Sequence, residues 1–194
     1  MAAEKKRRRV LIASGSDKIY DYFTELLPPA EFFPLSRAHS AGEAKRALLP
    51  SPPDILIVDT PLPDEFGIQL AQSAADMSMG IMLLVKAELA EKISSKTEDD
   101  GILTLQKPNS RQTIYSSAKL LSALSVRLQK METKNRTLQD KMEDIRAVNR
   151  AKWLLIEKLS MTEADAHYFI EKRAMDERVS RREIAESIIR SYDN

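Results

Sequence analysis

Two charged residues follow short apolar runs at positions where a parallel sheet would bring them together. Asp59 ends an apolar run at residues 55–58, and Lys107 closely follows another at residues 102–105. Binding and catalytic sites in such sheets form at the carboxyl ends of the strands. We therefore expect the Asp59 carboxylate and the Lys107 ammonium to converge, either as part of a site or as an ion pair that closes this end of the sheet.

The composition excludes several other kinds of chemistry. The 194-residue chain has no cysteine, which rules out disulfides, thiolate nucleophiles and cysteine-bound metals. Its two histidines, His39 and His167, are far apart in the sequence, which argues against a histidine metal site. No nucleophile–base pair or metal cluster is visible, so we predict that the protein is not an enzyme and needs no cofactor.

The charge balance limits the contacts that the protein can make. Lys and Arg together number 30 and Asp and Glu 29, so nucleic acid could be bound only through a local patch. The basic run at residues 5–9 is expected to be a solvated lead-in to the first strand, with a nucleic-acid-binding arm as the alternative. The sequence has no apolar run of about 18 residues and no signal peptide, so we expect a cytoplasmic protein without membrane contact.

Five apolar runs alternate with helical patterns in the first part of the chain. The runs lie at residues 10–13, 32–35, 54–59, 81–85 and 102–105. Ser40 and Glu43 form a capping box for one intervening helix, and Asp64 is expected to cap another that reaches about Ala75. Pro34 permits only an edge strand or a strand end in the second run. This alternation predicts an α/β doubly wound domain with a parallel sheet and helices on both faces.

The residues around Asp59 resemble the receiver domain of two-component response regulators. Residues 55–64 read Ile-Leu-Ile-Val-Asp-Thr-Pro-Leu-Pro-Asp, Gly67 follows, and Lys107 precedes a proline. The resemblance covers roughly residues 8–120 and implies a flavodoxin-like or CheY-like fold. It also implies that Asp59 corresponds to the aspartate that accepts a phosphoryl group from a histidine kinase, and Lys107 to the lysine that holds phosphoryl oxygens.

The chain departs from the receiver pattern at the positions that support phosphoryl transfer. The acidic pair that holds Mg²⁺ in that family falls on Ser14 and Gly15, and the family's Ser or Thr after the fourth strand falls on Val85. Mg²⁺ is usually held by carboxylates and substrate oxygens, and phosphoryl transfer depends on the metal and on positioned charge. Asp17 is a weak replacement, so Mg²⁺ binding should be weak or absent. We predict a degenerate receiver in which Asp59 is not a physiological phosphoacceptor, and which senses by binding or serves as a dimerisation scaffold.

A heptad pattern follows the receiver-like part. Residues 114–158 contain neither Pro nor Gly and are rich in strong helix formers. Steps of three and four connect the seam residues Leu121, Leu124, Leu128, Met131, Asn135, Leu138, Met142, Ile145 and Asn149. A single helix cannot cover such a stripe, and a seam Asn can bond its twin in a parallel two-stranded coil. We predict a parallel homodimer, with packing of the stripe on the chain's own domains as the alternative.

The last part of the chain predicts a small three-helix unit. The coil helix continues through Leu159, and capping pairs start two further helices at about residues 163–177 and 181–192. The pairs are Thr162 with Asp165 and Ser180 with Glu183. The predicted organisation is a receiver-like domain at 1–112, a coiled-coil dimerisation helix at 113–150 and a three-helix domain at 151–194.

Four segments of this unit resemble the ANTAR domain, the output module of transcription antitermination regulators. They lie at residues 151–155, 162–166, 172–176 and 184–186. A receiver, a coiled coil and this module in that order resemble ANTAR response regulators. The resemblance implies binding to paired hairpins in leader mRNA, which prevents a terminator stem from forming. Whether a sensor kinase or a ligand-binding regulatory protein controls it stays open.

Several basic residues and one tyrosine are candidates for the RNA contact. They are Lys152, Lys172, Arg173, Arg178, Arg181, Arg182 and Tyr168. Lys and Arg bind phosphates, while aromatic rings stack on unpaired bases. The five Lys and Arg residues from 172 to 182 could form one patch across the last turn, or belong to a solvated face of mixed charge. Trp153 and Met175 are expected to lie in the core.

Two other functions remain as alternatives to RNA binding. The last two helices could act as a DNA-binding helix-turn-helix, although their turn lacks the usual Gly and the long coil fits poorly. The protein could also be a scaffold whose tail docks a protein partner.

Overall fold

The computed structural model describes residues 6–192, and Lys5 of the basic run lies outside them. The chain divides into two compact units, one ending at Glu132 and the other beginning at Thr133.

The first unit is built on a parallel sheet of five strands. They are β1 (Arg8–Ala13), β2 (Phe32–Ala38), β3 (Ile55–Asp59), β4 (Gly80–Lys86) and β5 (Leu103–Lys107), in the order β2-β1-β3-β4-β5. Every neighbouring pair is parallel. β2 is an edge strand, which agrees with the constraint from Pro34. Arg8 and Arg9 belong to β1, so the strand begins earlier than predicted.

Helices cover both faces of the sheet and account for its continuous apolar strands. α1 (Asp17–Leu26) and the start of α5 (Arg111–Leu159) pack on one face, while α2 (Ala41–Leu48), α3 (Ile68–Ser73) and α4 (Ala87–Thr97) pack on the other. Along β3, Ile55 and Ile57 face the first group and Leu56 and Val58 face the second. A strand buried on both faces needs apolar residues at every position. The predicted doubly wound fold is confirmed.

Asp64 does not cap the helix that follows it, so this expectation was wrong. Its carboxylate crosses to the start of α2, where it accepts hydrogen bonds from the backbone N–H groups of Ala41 (2.8 Å) and Gly42 (2.9 Å). α3 begins instead after Gly67, whose φ of 104° suits glycine. The loop after β3 is therefore pinned to a neighbouring helix rather than to its own.

The start of α2 follows the predicted capping box only in part. The Ser40 hydroxyl oxygen accepts a hydrogen bond from the N–H of Glu43 at 3.2 Å, as expected. The Glu43 carboxylate accepts from the N–H of His39, one residue before the cap. The first N–H groups of a helix have no partner within the helix. At the start of α2, Ser40 and Asp64 supply side-chain partners for several of them.

The first turns of α5 belong to the core of the first unit. Ile114, Ala118 and Leu121 are buried against the sheet. The helix comes so close to β4 that a Cβ added at Gly80 would lie 2.7 Å from the Cβ of Leu121. Leu121 is therefore not free to open a dimer seam, which corrects the predicted start of that seam. Further along α5, Gln129 donates a hydrogen bond to the buried Asp54 carboxylate at 3.0 Å.

The second unit combines the end of α5 with α6 (Glu163–Glu177) and α7 (Arg181–Tyr192). The Thr162 hydroxyl oxygen accepts from the N–H of Asp165 at 3.2 Å. Ser180 accepts from the N–H of Glu183 at 3.1 Å, and the Glu183 carboxylate accepts in return from the Ser180 hydroxyl and N–H. Both predicted caps are confirmed, and the two helices start where they were expected.

The core of the second unit is small and excludes two residues that were expected inside it. Leu155, Ile170 and Ile188 are among its buried side chains. Trp153 is 70% exposed and Met175 is 75% exposed, so their predicted burial was wrong. Met175 follows the buried Ala174 and lies about 100° around the helix axis from it, whereas Trp153 lies on the opposite side of its helix from the buried Ala151 and Leu155.

None of the helices among residues 6–192 combines the length and the apolar character that crossing a membrane would require.

Candidate functional sites

The sheet brings Asp59 and Lys107 together at the carboxyl ends of β3 and β5. Lys107 Nζ lies 2.5 Å from Asp59 Oδ1 and also donates a hydrogen bond to the carbonyl oxygen of Thr60 at 2.5 Å. Ser14, which follows β1, donates its hydroxyl to Asp59 Oδ2 at 2.9 Å. Asp59 is only 7% exposed. Both carboxylate oxygens thus have a partner within the chain, and the ion pair considered from the sequence is present.

The neighbours of this acidic centre do not fit a Mg²⁺ ion. Ser14 and Lys107 both donate hydrogen bonds to the Asp59 carboxylate, whereas a hard cation needs oxygen ligands, preferably carboxylates. Val85 is buried and apolar. Asp17 is exposed and pairs with Arg37. Within residues 6–192, no group of three or more acidic, histidine or cysteine side chains is placed to hold a metal.

The predicted RNA-binding residues of the tail divide between two grooves rather than forming one patch. A groove of about 390 Å³ between α5 and the start of α7 is lined by Lys152, Arg181 and Arg182. A second groove, of about 400 Å³, lies on α6 and is lined by Tyr168, Lys172, Arg173 and also by Met161, Asp165, Phe169 and Asp176. Arg178 lines neither groove and instead ends α6 with a φ of 55°.

Carboxylates hold the cations of the first groove. Arg182 donates to Glu186 at 2.8 Å, to Glu143 at 3.2 Å and to Asp144 at 3.3 Å. These hydrogen bonds, above all the one to Glu186, raise the pKa of the Arg182 guanidinium. A solvated face of mixed charge was predicted as one alternative for these cations, but its spacing did not indicate that three carboxylates surround a single guanidinium.

Two further pairs border the same groove. Lys152 lies 2.6 Å from Glu163, and this hydrogen bond lowers the pKa of the Glu163 carboxyl. Arg181 donates at 2.7 Å to Glu171, which also lies 3.4 Å from His167 Nε2. The four-residue spacing of His167 and Glu171 on one helix was the signal in the sequence that could have revealed this contact.

The second groove contains one cation, Lys172, that forms no ion pair with another described residue. Arg173 pairs with Glu177 at 2.5 Å, whereas Lys172 has no ion pair among residues 6–192. Arg178 also has none within that range. Tyr168 beside Lys172 is largely exposed. An exposed aromatic ring next to an unpaired ammonium can bind a stacked base and its phosphate.

The predicted seam of α5 is partly buried at its start and exposed further on. Leu128 is half-buried and Leu124 borders on exposed. The later apolar positions are solvent-exposed, namely Met131, Leu138, Met142 and Ile145. Asn135 and Asn149 are exposed as well. The section from Met131 onward therefore carries an apolar stripe that the described part of the chain does not cover.

Comparison with known protein families identifies the tail. Residues 136–189 match the ANTAR domain. The second unit is an ANTAR domain. A relative over most of the chain is the transcriptional regulatory protein PdtaR of Mycobacterium tuberculosis. It is 28% identical over 183 residues, which cover 94% of this chain and 89% of PdtaR.

Solved structures place the first unit among receiver-like folds. The signal receiver domain of an HD domain-containing protein from Pseudomonas fluorescens has a TM-score of 0.59 and 22% identity, covering 67% of this chain and 97% of that one. A putative response regulator from Chloroflexus aurantiacus has a TM-score of 0.54 and 24% identity, covering 61% and 99%. A receiver-like fold thus precedes the ANTAR domain, as the resemblance in the sequence implied.

Proposed function

We propose that this protein is a transcription antitermination regulator that binds hairpins in leader mRNA through its ANTAR domain. The match of residues 136–189 to that domain carries the proposal. The relationship to PdtaR, which is named as a transcriptional regulatory protein, supports it. Bound hairpins cannot rearrange into a terminator stem, so RNA polymerase continues into the downstream genes.

The groove on α6 is the part of the ANTAR domain that suits an unpaired loop nucleotide. Tyr168 offers an exposed ring, and stacking of a base on such a ring contributes about 1–3 kcal/mol. Lys172, in the same groove, offers an ammonium without a carboxylate partner among residues 6–192. Arg173 and Arg181 can exchange their carboxylate partners for phosphates, because isolated exposed ion pairs are weak. Arg182 would have to give up three carboxylate partners to do the same.

Dimerisation through α5 would present two ANTAR domains to one transcript. The stripe from Met131 to Ile145 is apolar and exposed, and it follows the heptad spacing of a two-stranded coil. Asn135 and Asn149 recur at one of the two seam positions, where each can bond its twin in a parallel arrangement. A parallel homodimer bound to tandem hairpins follows from this pattern.

The receiver-like domain in this proposal works without phosphoryl transfer. Asp59 is buried. One of its carboxylate oxygens accepts a hydrogen bond from Lys107, and the other accepts one from Ser14. The residues around it offer Mg²⁺ few ligands, so the metal would bind weakly or not at all. Control would then come from a protein that binds this domain, such as a ligand-binding regulatory protein, rather than from phosphorylation by a sensor kinase.

Binding to RNA tests the function directly. The full chain should bind a labelled leader RNA with two hairpins more tightly than a single hairpin or duplex DNA, as measured by fluorescence anisotropy. Affinity should fall steeply with salt, since each phosphate contact contributes a slope of about −0.7 to −0.9 to log K against log salt concentration. Failure of the folded dimer to bind any structured leader RNA would remove the proposal, and preference for duplex DNA would replace it with DNA binding.

Two single variants localise the contact. Tyr168→Ala and Lys172→Ala should each weaken RNA binding about tenfold or less, the first with little change in salt slope and the second with a smaller slope. Lys92→Ala is the matched control, because Lys92 is an exposed lysine on α4 of the other unit. Equal effects of the Lys172 and Lys92 substitutions would show that the α6 groove is not the contact.

A further inference from the structure

Trp153, the single tryptophan of the chain, lies on α5 eight residues after Ile145, the last residue of the exposed apolar stripe. The buried neighbours Ala151 and Leu155 face α6 and α7, while Trp153 points away from them and is 70% exposed. Large exposed apolar side chains that continue an apolar stripe mark contact surfaces. Tryptophan in particular is common among the residues that dominate binding energy in protein interfaces.

The heptad register places Trp153 beside the seam. Trp153 lies four residues after the seam residue Asn149, so it flanks the seam on one side, and Val148 flanks it on the other. In a parallel two-stranded coil, a residue in the position of Val148 meets the residue five positions further along the partner helix, because flanking positions on opposite sides pair across the seam. Val148 of one copy therefore faces Trp153 of the second copy.

Val148 is also part of the wall of the groove of about 390 Å³ in the ANTAR domain. The α5 residues in this wall are Asp144, Ile145, Val148, Asn149 and Lys152. All of them except Asp144 belong to the seam or flank it, so the seam face forms most of this wall. The opposite wall includes Arg181. The groove falls within the size range of sites for small ligands, which leaves room for one indole.

The chemistry of the groove matches an indole ring. Ile145 and Val148 offer apolar contact, and the Lys152 and Arg181 side chains can place cationic groups over the ring face, where the ring quadrupole attracts them. Both cations keep carboxylate partners, Glu163 and Glu171, so they need not lose their ion pairs to border an aromatic ring.

We propose that Trp153 of each copy inserts into this groove of the other copy, against Val148 and beneath Lys152 and Arg181. The inference rests on the parallel dimer proposed above and adds its main contact. Because the groove is lined by α5, α6 and α7, the two reciprocal insertions join the seam to the folded ANTAR domain. Dimerisation and the integrity of the ANTAR domain would then stabilise each other.

Sedimentation of the full chain tests the insertion. Trp153→Ala should raise the dissociation constant of the dimer by at least tenfold. Trp153→Phe keeps an aromatic ring at this position, so it should raise the constant much less. Met175→Ala is the matched control, because Met175 is equally exposed but lies on α6, away from the stripe, and it should leave the constant unchanged. Circular dichroism establishes that each variant keeps its helices.

Fluorescence gives a second readout, since all tryptophan emission comes from position 153. Emission should move to shorter wavelength as the concentration rises through the dimer dissociation constant. A wild-type chain that stays monomeric at every concentration overturns both the dimer and the insertion. A stable dimer with solvent-like emission and no effect of Trp153→Ala overturns the insertion alone, as does an emission shift that occurs only when leader RNA is added.

Discussion

The acidic centre of the receiver-like domain and the cationic grooves of the ANTAR domain both consist of ion pairs, but their burial differs. Asp59 is enclosed, and Lys107 and Ser14 hold both of its oxygens. The carboxylate partners of Lys152, Arg173 and Arg181 are far more exposed than Asp59. Removing one partner of a buried pair leaves a costly charge, whereas exposed pairs exchange partners easily. The first arrangement is expected to keep its partners, and the second suits the phosphate binding proposed for the ANTAR domain.

The largest expected effect comes from removing the cation that pairs with the buried Asp59 carboxylate. Lys107→Met should lower the free energy of unfolding by about 3 kcal/mol, because it leaves the Asp59 carboxylate enclosed without its cation. The double variant Asp59→Asn with Lys107→Met should recover part of this loss. Urea denaturation measures both, with Lys92→Met as the exposed control. A loss below about 0.5 kcal/mol would mean that the two regions do not differ as described.

Restoring a carboxylate would convert the closed centre toward a metal site. Wild-type protein with acetyl phosphate and Mg²⁺ should incorporate no phosphoryl group at Asp59. Ser14→Asp places a second carboxylate beside Asp59. The thermal stability of this variant should rise on addition of Mg²⁺, because an ion that binds the folded state stabilises it. Phosphoryl incorporation is measured by mass spectrometry and stability by thermal unfolding. Stoichiometric phosphorylation of the wild-type chain would contradict the degenerate receiver.

An exposed pair should show the opposite balance between stability and binding. Glu171→Gln releases Arg181 and His167 from their shared carboxylate. Stability should change by no more than about 0.5 kcal/mol, while leader RNA should bind several-fold more tightly because a competing negative charge is gone. Anisotropy and urea denaturation measure the two quantities. A large stability loss without tighter RNA binding would place this pair with the buried ones.

The smallest effect concerns an exposed carboxylate in the first unit. Hydrogen bonds from Gly42 and Ala41 lower the pKa of Asp64 below its ordinary value. Because the folded-state pKa is the lower one, Asp64 stabilises the fold above its unfolded pKa of about 4, and this contribution is lost as the pH falls through the folded value. Asp64→Asn should flatten the decline in stability below about pH 4. An unchanged pH profile would show that the cap of α2 contributes nothing.

The sequence predicted features that depend on local pattern. The alternating apolar runs predicted the parallel sheet, and the positions of the strand ends predicted that Asp59 and Lys107 lie close together. Capping pairs gave the starts of α6 and α7. In each case a helix period or a chain direction fixes the outcome before any distant contact forms.

The errors came from contacts that join distant parts of the chain. Asp64 binds α2 and Leu121 packs against Gly80, neither of which any local spacing specifies. Trp153 and Met175 were assigned to the core from their apolar character, although other residues, Leu155 and Ala174 among them, form the core faces of their helices. The cations of the tail fell into two grooves because the turn of α6 and α7 divides them.

If α5 pairs with a second copy as proposed, the burial of Leu121 beside Gly80 limits how much of the helix can take part. The exposed section from Met131 to Asn149 offers fewer than three heptad repeats, and short helical pairs in water are marginal without further contacts. Leu121 can pack against the sheet or extend the coiled coil, but it cannot do both. A protein that bound the first unit and released the first turns of α5 from the sheet would lengthen the coiled coil. Binding at the first unit would then control how tightly the two copies associate.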